Sequence, residues 1–167
     1  MGKPYVHYAS KLFFIMAYLK ELKNREDLLI MFTDAYDVLI YQDSKVIKDL
    51  FTQFNARVVF SAEYICNPDK TKAPRFPTMV SDVEKRFLNS GGYIGYASDI
   101  FEIVSFMVEE FKVQPSESDQ KNFQEIYLNE YLREKHNIKL DHNSTIFFNV
   151  YASADDLAFQ CKKGILR

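Results

Sequence analysis

Apolar positions near the start of the chain change their spacing in a way that separates a helix from a strand. Tyr8, Leu12, Ile15, Met16, Leu19 and Leu22 recur at intervals of three and four, which predicts an amphipathic helix. Polar residues 24–27 interrupt it, and Leu28, Leu29, Ile30, Met31 and Phe32 then form an unbroken apolar run. A run that short fits a strand covered on both faces. Ser44 is a candidate N-cap for a helix through Phe54, with Val46, Ile47, Leu50 and Phe51 on its inner side. Val58, Val59 and Phe60 mark a further strand over residues 57–61. Residues 67–82, with Pro68, Pro74 and Pro77, read as a long irregular loop. Beyond it the pattern predicts a strand over 92–97 and a helix capped by Ser98 that reaches about Phe111. A polar linker (113–118) leads to one helix over 119–135, then to strands over 138–140 and 145–151, with a last strand candidate around 157–161.

Strand, helix and strand in succession argue for an α/β domain built on a mostly parallel sheet with flanking helices. At 167 residues the chain holds one domain rather than two independent cores. Apolar residues make up 47% and aromatic ones 16%, enough for a sizeable core and unlike a disordered segment. The formal net charge is −2, with no basic run, and this argues against a nucleic-acid partner. No apolar run approaches the roughly 20 residues needed to cross a bilayer, and the N-terminus lacks a signal-peptide pattern. Two cysteines, Cys66 and Cys161, read as free thiols, with a single bridge as the alternative.

Four places carry candidate chemistry. Asp34 and Asp37 follow a predicted buried strand, where α/β sheets bind ligands. Two hard carboxylates there suit Mg²⁺ or Mn²⁺ together with substrate phosphates, and a pair of solvated loop acids is the plain alternative. A phosphatase-type nucleophile is disfavoured, because Tyr36 stands where the second aspartate of that chemistry belongs. Asn89, Ser90, Gly91 and Gly92 join two glycines to small polar groups, a surface for a hydroxyl-rich ligand or else a tight turn. Asp119 stands at a helix start, as a cap, a base or an acceptor contact. Asp141 and His142 fall in a polar loop after a strand, where a histidine ligand or base competes with an ordinary surface residue.

Taken in order, several strings resemble the glycosyltransferase domain of the procollagen lysyl hydroxylase/glycosyltransferase family. They are Arg25-Glu26-Asp27, then residues 30–38 around Asp34 and Asp37, Val59-Phe60-Ser61-Ala62-Glu63, residues 85–95 around Asn89 to Gly92, Asp119-Gln120, and residues 140–144 around Asp141. The likeness runs from about Leu19 to Asn149. It implies a GT-A-like, Rossmann-like fold that uses a UDP-sugar and Mn²⁺ or Mg²⁺ to glycosylate hydroxylysine or galactosyl-hydroxylysine of collagen-like acceptors. On that basis Asp34 and Asp37 bind the metal, Asn89, Ser90, Gly91, Gly92 and Asp141 bind substrate, and Asp119 sits at the reacting centre. The implied donor is UDP-galactose or UDP-glucose, and the implied compartment is the endoplasmic reticulum lumen or the exterior. Three departures from the family pattern stand out. The first strand–helix unit that holds the uridine is missing, no late His-Gly-Asn segment follows, and Cys66-Asn67-Pro68 replaces a Cys-Trp-Pro string. They leave a non-catalytic interaction module as the alternative function, and predict an open sheet edge prone to self-association.

Overall fold

The computed structural model describes residues 9–35, 37–78 and 85–150. Among these residues four strands form one sheet in the order β1-β3-β2-β4, namely β1 (Leu29–Thr33), β2 (Val58–Glu63), β3 (Phe87–Tyr96) and β4 (Ile138–Asp141). The five helices are α1 (Ser10–Lys20), α2 (Ser44–Gln53), α3 (Ala97–Glu109), α4 (Asp119–Leu128) and α5 (Glu130–Lys135). The α/β class therefore holds. Strands β1, β2 and β4 run in one direction, as a parallel sheet requires, but β3 runs against them between β1 and β2. Two of the three ladders are consequently antiparallel, and only β2 with β4 is parallel. This corrects the expectation of a mostly parallel set of ladders.

Side-chain alternation sorts the strands into two faces. Ile30, Phe32, Val58, Phe60, Ala62, Tyr93, Ile138 and Leu140 face one core, which Leu12, Leu19, Ile100, Val104, Met107, Phe123 and Ile126 from α1, α3 and α4 complete. Leu29, Met31, Val59 and Ile94 face the other, against Ile47 and Phe51 of α2 and Ile146 and Phe147 of the segment after β4. Strand β2 lies between two neighbours and two layers, so all six of its residues are buried. That coverage is why its sequence shows no polar alternation.

Several boundaries differ from the sequence pattern for identifiable reasons. The cap of α2 is Asp43 rather than Ser44, with its Oδ1 accepting from the N–H groups of Lys45 and Val46 at 2.9 and 3.0 Å. Helix α3 starts one residue before Ser98, and Tyr96 occupies the cap position without a side-chain hydrogen bond. The helix expected over 119–135 is two helices. Asn129 is extended (φ −80°, ψ 110°), and its side chain accepts from Leu132 N–H at 3.1 Å, which ends α4 and caps α5. Asn55 and Asn137, just after α2 and α5, take positive φ (46° and 38°), as asparagine tolerates after a helix C-terminus. Residues 145–150 form no strand. Cys66 is a free, buried thiol, while Cys161 and the candidate strand at 157–161 lie outside the described residues.

Asp99 ties three elements together on the sheet's helix-rich side. Its Oδ2 accepts from Arg57 Nε at 2.7 Å, and its Oδ1 lies 3.0 Å from His136 Nδ1, joining α3 to the start of β2 and the end of α5. Burial alone would raise the Asp99 carboxyl, but the hydrogen bonds and charges of His136 and Arg57 outweigh it and hold the carboxyl below its ordinary range. Its side chain is only 8% exposed, so truncation removes the acid partner of Arg57 and leaves His136 with only Glu102, 3.9 Å away. Asp99→Ala is expected to lower unfolding free energy by about 2–4 kcal/mol in urea titrations. A loss below about 0.5 kcal/mol would mean that these contacts contribute no more than an exposed ion pair.

Candidate functional site

The site forms where β3 cannot keep step with β2. Phe60 pairs with Tyr93, but the next residue, Ser61, pairs with Asn89, so Ser90, Gly91 and Gly92 bulge out of the β2 ladder. On its other side β3 still holds β1. Thr33 is opposite Gly92, and Asp34 N–H donates to Gly91 C=O at 2.9 Å. A bulge of this kind re-aims side chains, and here it sets the 89–92 backbone against the end of β1. Residues 89–92 are thus part of a strand rather than a loop between strands.

The two glycines are required by close approach. Neither takes a positive φ. A Cβ on Gly91 would lie 3.0 Å from Asn89 Oδ1 and 3.1 Å from Asp34 Oδ2, and one on Gly92 would lie 2.7 Å from the Phe147 ring. The Asp34 carboxylate therefore lies directly beside Gly91. Asn89 Oδ1 accepts from Gly91 N–H at 2.9 Å, which holds that turn of backbone.

Asp119 reaches the same place from the first turn of α4. Ser118 caps that helix, accepting from Lys121 N–H, so the Asp119 side chain is free to point inward, where it is 6% exposed. Its Oδ2 accepts from Ser90 Oγ at 2.7 Å and pairs with Lys11 Nζ at 2.9 Å. The same Lys11 ammonium lies 3.0 Å from Asp34 Oδ1. Burial lowers the lysine's affinity for its proton, but Asp119 and Asp34 together outweigh that and raise its pKa. One cation from α1 thus links the acid after β1 to the acid at the head of α4.

A second chain of polar contacts runs beneath. Gln120 accepts from Ser90 N–H at 3.1 Å and donates to Glu63 Oε1 at 2.7 Å and to the Asn67 carbonyl at 2.8 Å. Glu63, the last residue of β2, is 3% exposed and has no cationic partner among the described residues. Burial pushes its carboxyl up to about 7, and hydrogen bonds from Asn89 and Gln120 offset only part of that. Tyr93, on the same strand as the bulge, stacks on Phe32 at 4.9 Å. Its hydroxyl is buried without a hydrogen-bond partner among the described residues. Burial, then Asp119 and Asp34, push that phenol well above its ordinary value.

Two of the expected site residues sit differently. Asp37 is exposed, and among the described residues it forms no hydrogen bond or ion pair. Asp141 is fully buried, and its two oxygens accept from the N–H groups of Thr145, Ile146 and Phe147 at 2.7, 2.7 and 2.8 Å. It holds in place the segment whose Phe147 packs on Gly92. His142 Nδ1 lies 2.6 Å from the Lys85 carbonyl. Among the described residues no three His, Cys, Asp or Glu side chains converge as a metal group. A groove of about 780 Å³ between Arg75, Phe111, Glu125 and Tyr131 includes none of the residues above.

The family model for the PLOD GT domain matches residues 8–167. The chain belongs to this family. It is 40% identical over 149 residues to human procollagen-lysine,2-oxoglutarate 5-dioxygenase 1, and 38% identical over 149 residues to the rat protein of that name, covering 89% of this chain and 20% of each relative. It is 36% identical over 149 residues to human multifunctional procollagen lysine hydroxylase and glycosyltransferase LH3, covering 89% of this chain and 19% of that protein. The chain thus spans about a fifth of the length of these curated relatives. Its mixed sheet flanked by helices is consistent with a GT-A-like domain of the PLOD GT family.

Lys11 and Glu63 are the functional-looking residues that the sequence pattern does not single out. Lys11 is one of two lysines on α1, and Glu63 only ends a largely apolar run. The polar residue closing a buried strand next to Asn67 and Pro68 was the available signal for Glu63.

Because native Glu63 binds its proton more tightly than the unfolded chain, whose carboxyl titrates near 4.5, this group's contribution falls as pH rises from about 4.5 to about 7 and is then flat. Glu63→Gln removes the titration. The stability difference between variant and wild type is expected to grow in the variant's favour across that window, by on the order of 1–3 kcal/mol. Urea midpoints measured from pH 4.5 to 8 read it, and a difference that does not change with pH contradicts the assignment.

Proposed function

We propose that this PLOD GT domain transfers a sugar from a UDP-sugar, UDP-galactose or UDP-glucose, to hydroxylysine or galactosyl-hydroxylysine of a collagen-like acceptor. The observation that carries the reading is the meeting of Asp34, residues 89–92 and Asp119 at one point, through the Asp34–Gly91 backbone bond and the shared Lys11 ammonium. Three segments far apart in sequence have no structural need to put a half-exposed acid, a glycine-lined strand and a buried acid together. A sugar-transfer site needs all three.

In this reading Asp34 and Asp37 hold a divalent cation, Mn²⁺ or Mg²⁺. The donor set suits it. Asp34 is a hard-oxygen ligand, 44% exposed, whose Oδ2 borders the Gly91 backbone, and such ions bind through one or two carboxylates with phosphates and water completing the shell. When bound, the ion neutralises the diphosphate leaving group. Asn89, Ser90, Gly91 and Gly92 present backbone and small polar groups to the donor sugar. Asp141 serves the same surface by holding residues 145–147, and with them Phe147, against Gly92. Asp119, oriented by Lys11 and Ser90, faces the reacting centre. Glu63, with its pKa near neutrality, can hold or release a proton at the base of the network.

The procollagen-modifying relatives support a place in the endoplasmic reticulum lumen or outside the cell. Among the described residues no helix is long and apolar enough to cross a membrane. Strand β1 has one partner, β3, among the described residues, and Val38, Leu39, Ile40 and Tyr41 beyond it are exposed. This open edge favours self-association between copies.

Mn²⁺ with UDP is expected to raise the melting temperature of the full chain, since a ligand that binds only the folded state stabilises it. Asp34→Ala should abolish the rise. An equal rise in that variant rejects Asp34 as a ligand, and no rise in either protein, with no UDP-sugar hydrolysis, favours the non-catalytic interaction module. Light scattering is expected to find dimers or larger species, and a uniform monomer would contradict association through β1.

A further inference from the structure

Lys11 occupies an unusual electrical position. Its single charge lies between two carboxylates, 3.0 Å from Asp34 and 2.9 Å from Asp119, with no other basic group paired to either among the described residues. The site is therefore one positive charge short. The two acids also differ in what they can tolerate. Asp119 is 6% exposed, so stripping its counter-ion would strand a buried charge. Asp34 is 44% exposed and can be rehydrated or take another cation at its own side. The lysine side chain is 18% exposed, and its ammonium lies 5.4 Å from the centre of the Phe32 ring, a contact that leaves it beside Asp119 when Asp34 is given up.

We propose that Lys11 is a tethered counter-ion that occupies Asp34 in the metal-free site and yields that carboxylate, while keeping Asp119, when a divalent cation binds. The proposal rests on the reading of Asp34 as a metal ligand. An ammonium held 3.0 Å from a ligand oxygen lies within repulsive range of any ion that oxygen coordinates. The two cations thus compete for one carboxylate, and the metal alone binds weakly. An anionic diphosphate arriving with the metal supplies a new partner for the donor that Lys11 withdraws. The contact therefore favours entry of metal together with nucleotide over metal by itself. It also hands the departing lysine a role on the donor's phosphates without requiring Asp119 to lose its charge partner.

The test is isothermal titration of the full chain with MnCl₂ alone, without nucleotide. Lys11→Met removes the competing charge and is expected to tighten Mn²⁺ binding roughly tenfold or more. Lys11→Arg keeps a cation there and should bind as the wild type does. If Lys11→Met unfolds because Asp119 is left unpaired, which circular dichroism reads, Lys11→Gln keeps a hydrogen-bond donor without charge and carries the same expectation. Unchanged or weaker binding in the folded, uncharged variant overturns the proposal. Asp34→Asn separates the two ideas. If it abolishes Mn²⁺ binding while the uncharged Lys11 variant shows no gain, Asp34 is a ligand and only the counter-ion proposal fails. If Asp34→Asn binds as the wild type does, or if no protein binds Mn²⁺, both fail.

Discussion

Strand β3 must hydrogen-bond to β1 on one side and β2 on the other, and it cannot match both along its whole length. It keeps β1 through Gly92 and, by way of the Gly91 carbonyl, as far as Asp34, while it slips past β2 between Phe60 and Ser61. The slack is taken up by Ser90, Gly91 and Gly92. Because β3 is interior to the sheet, that slack has nowhere to go except toward the ends of its neighbours. The contacts made by residues 89–92 follow from this mismatch. Ser90 turns to Asp119, Asn89 folds over Gly91, and the Asp34 carboxylate settles where a larger residue at 91 would exclude it.

The buried and half-buried acids of the domain show how a partner decides what a carboxylate can do. Asp141 is satisfied by three backbone N–H groups and acts as a brace for the segment that carries Phe147. Asp99 is matched by Arg57 and His136 and joins elements. Asp34 and Asp119 share one lysine, so together they retain an unmatched charge at a place open to solvent on the Asp34 side. Among the described residues Glu63 has amide partners and no cation, and its proton is accordingly held near neutral pH. Five similar groups thus divide between scaffolding and chemistry by their surroundings alone.

Much of the frame was legible in the residues. The three-and-four spacing of Leu12, Ile15, Met16 and Leu19 marks α1, and the apolar runs at 28–32 and 58–60 mark β1 and β2, although only β2 is buried throughout and every residue of β1 is half-buried. The break between α4 and α5 is harder to see. Asn129 interrupts a helical period by capping the next turn with its own side chain, and asparagine alone does not announce that choice. The stretch 89–92 looks like a loop for a related reason, since glycine and small polar residues signal a turn far more often than the bulged half of an interior strand.

By itself the sequence determined the class of the domain, the order of most of its elements, and the family to which its ordered motifs belong. Local period and side-chain chemistry act over a few residues and are written directly in the chain. Tertiary structure decided the direction of β3, the slip in its ladder, the inward turn of Asp141, and the meeting of Lys11 with Asp34 and Asp119. Those outcomes depend on which distant backbone groups find each other as hydrogen-bond partners, and on how much water remains around a charge once they have. No short stretch of residues carries either quantity.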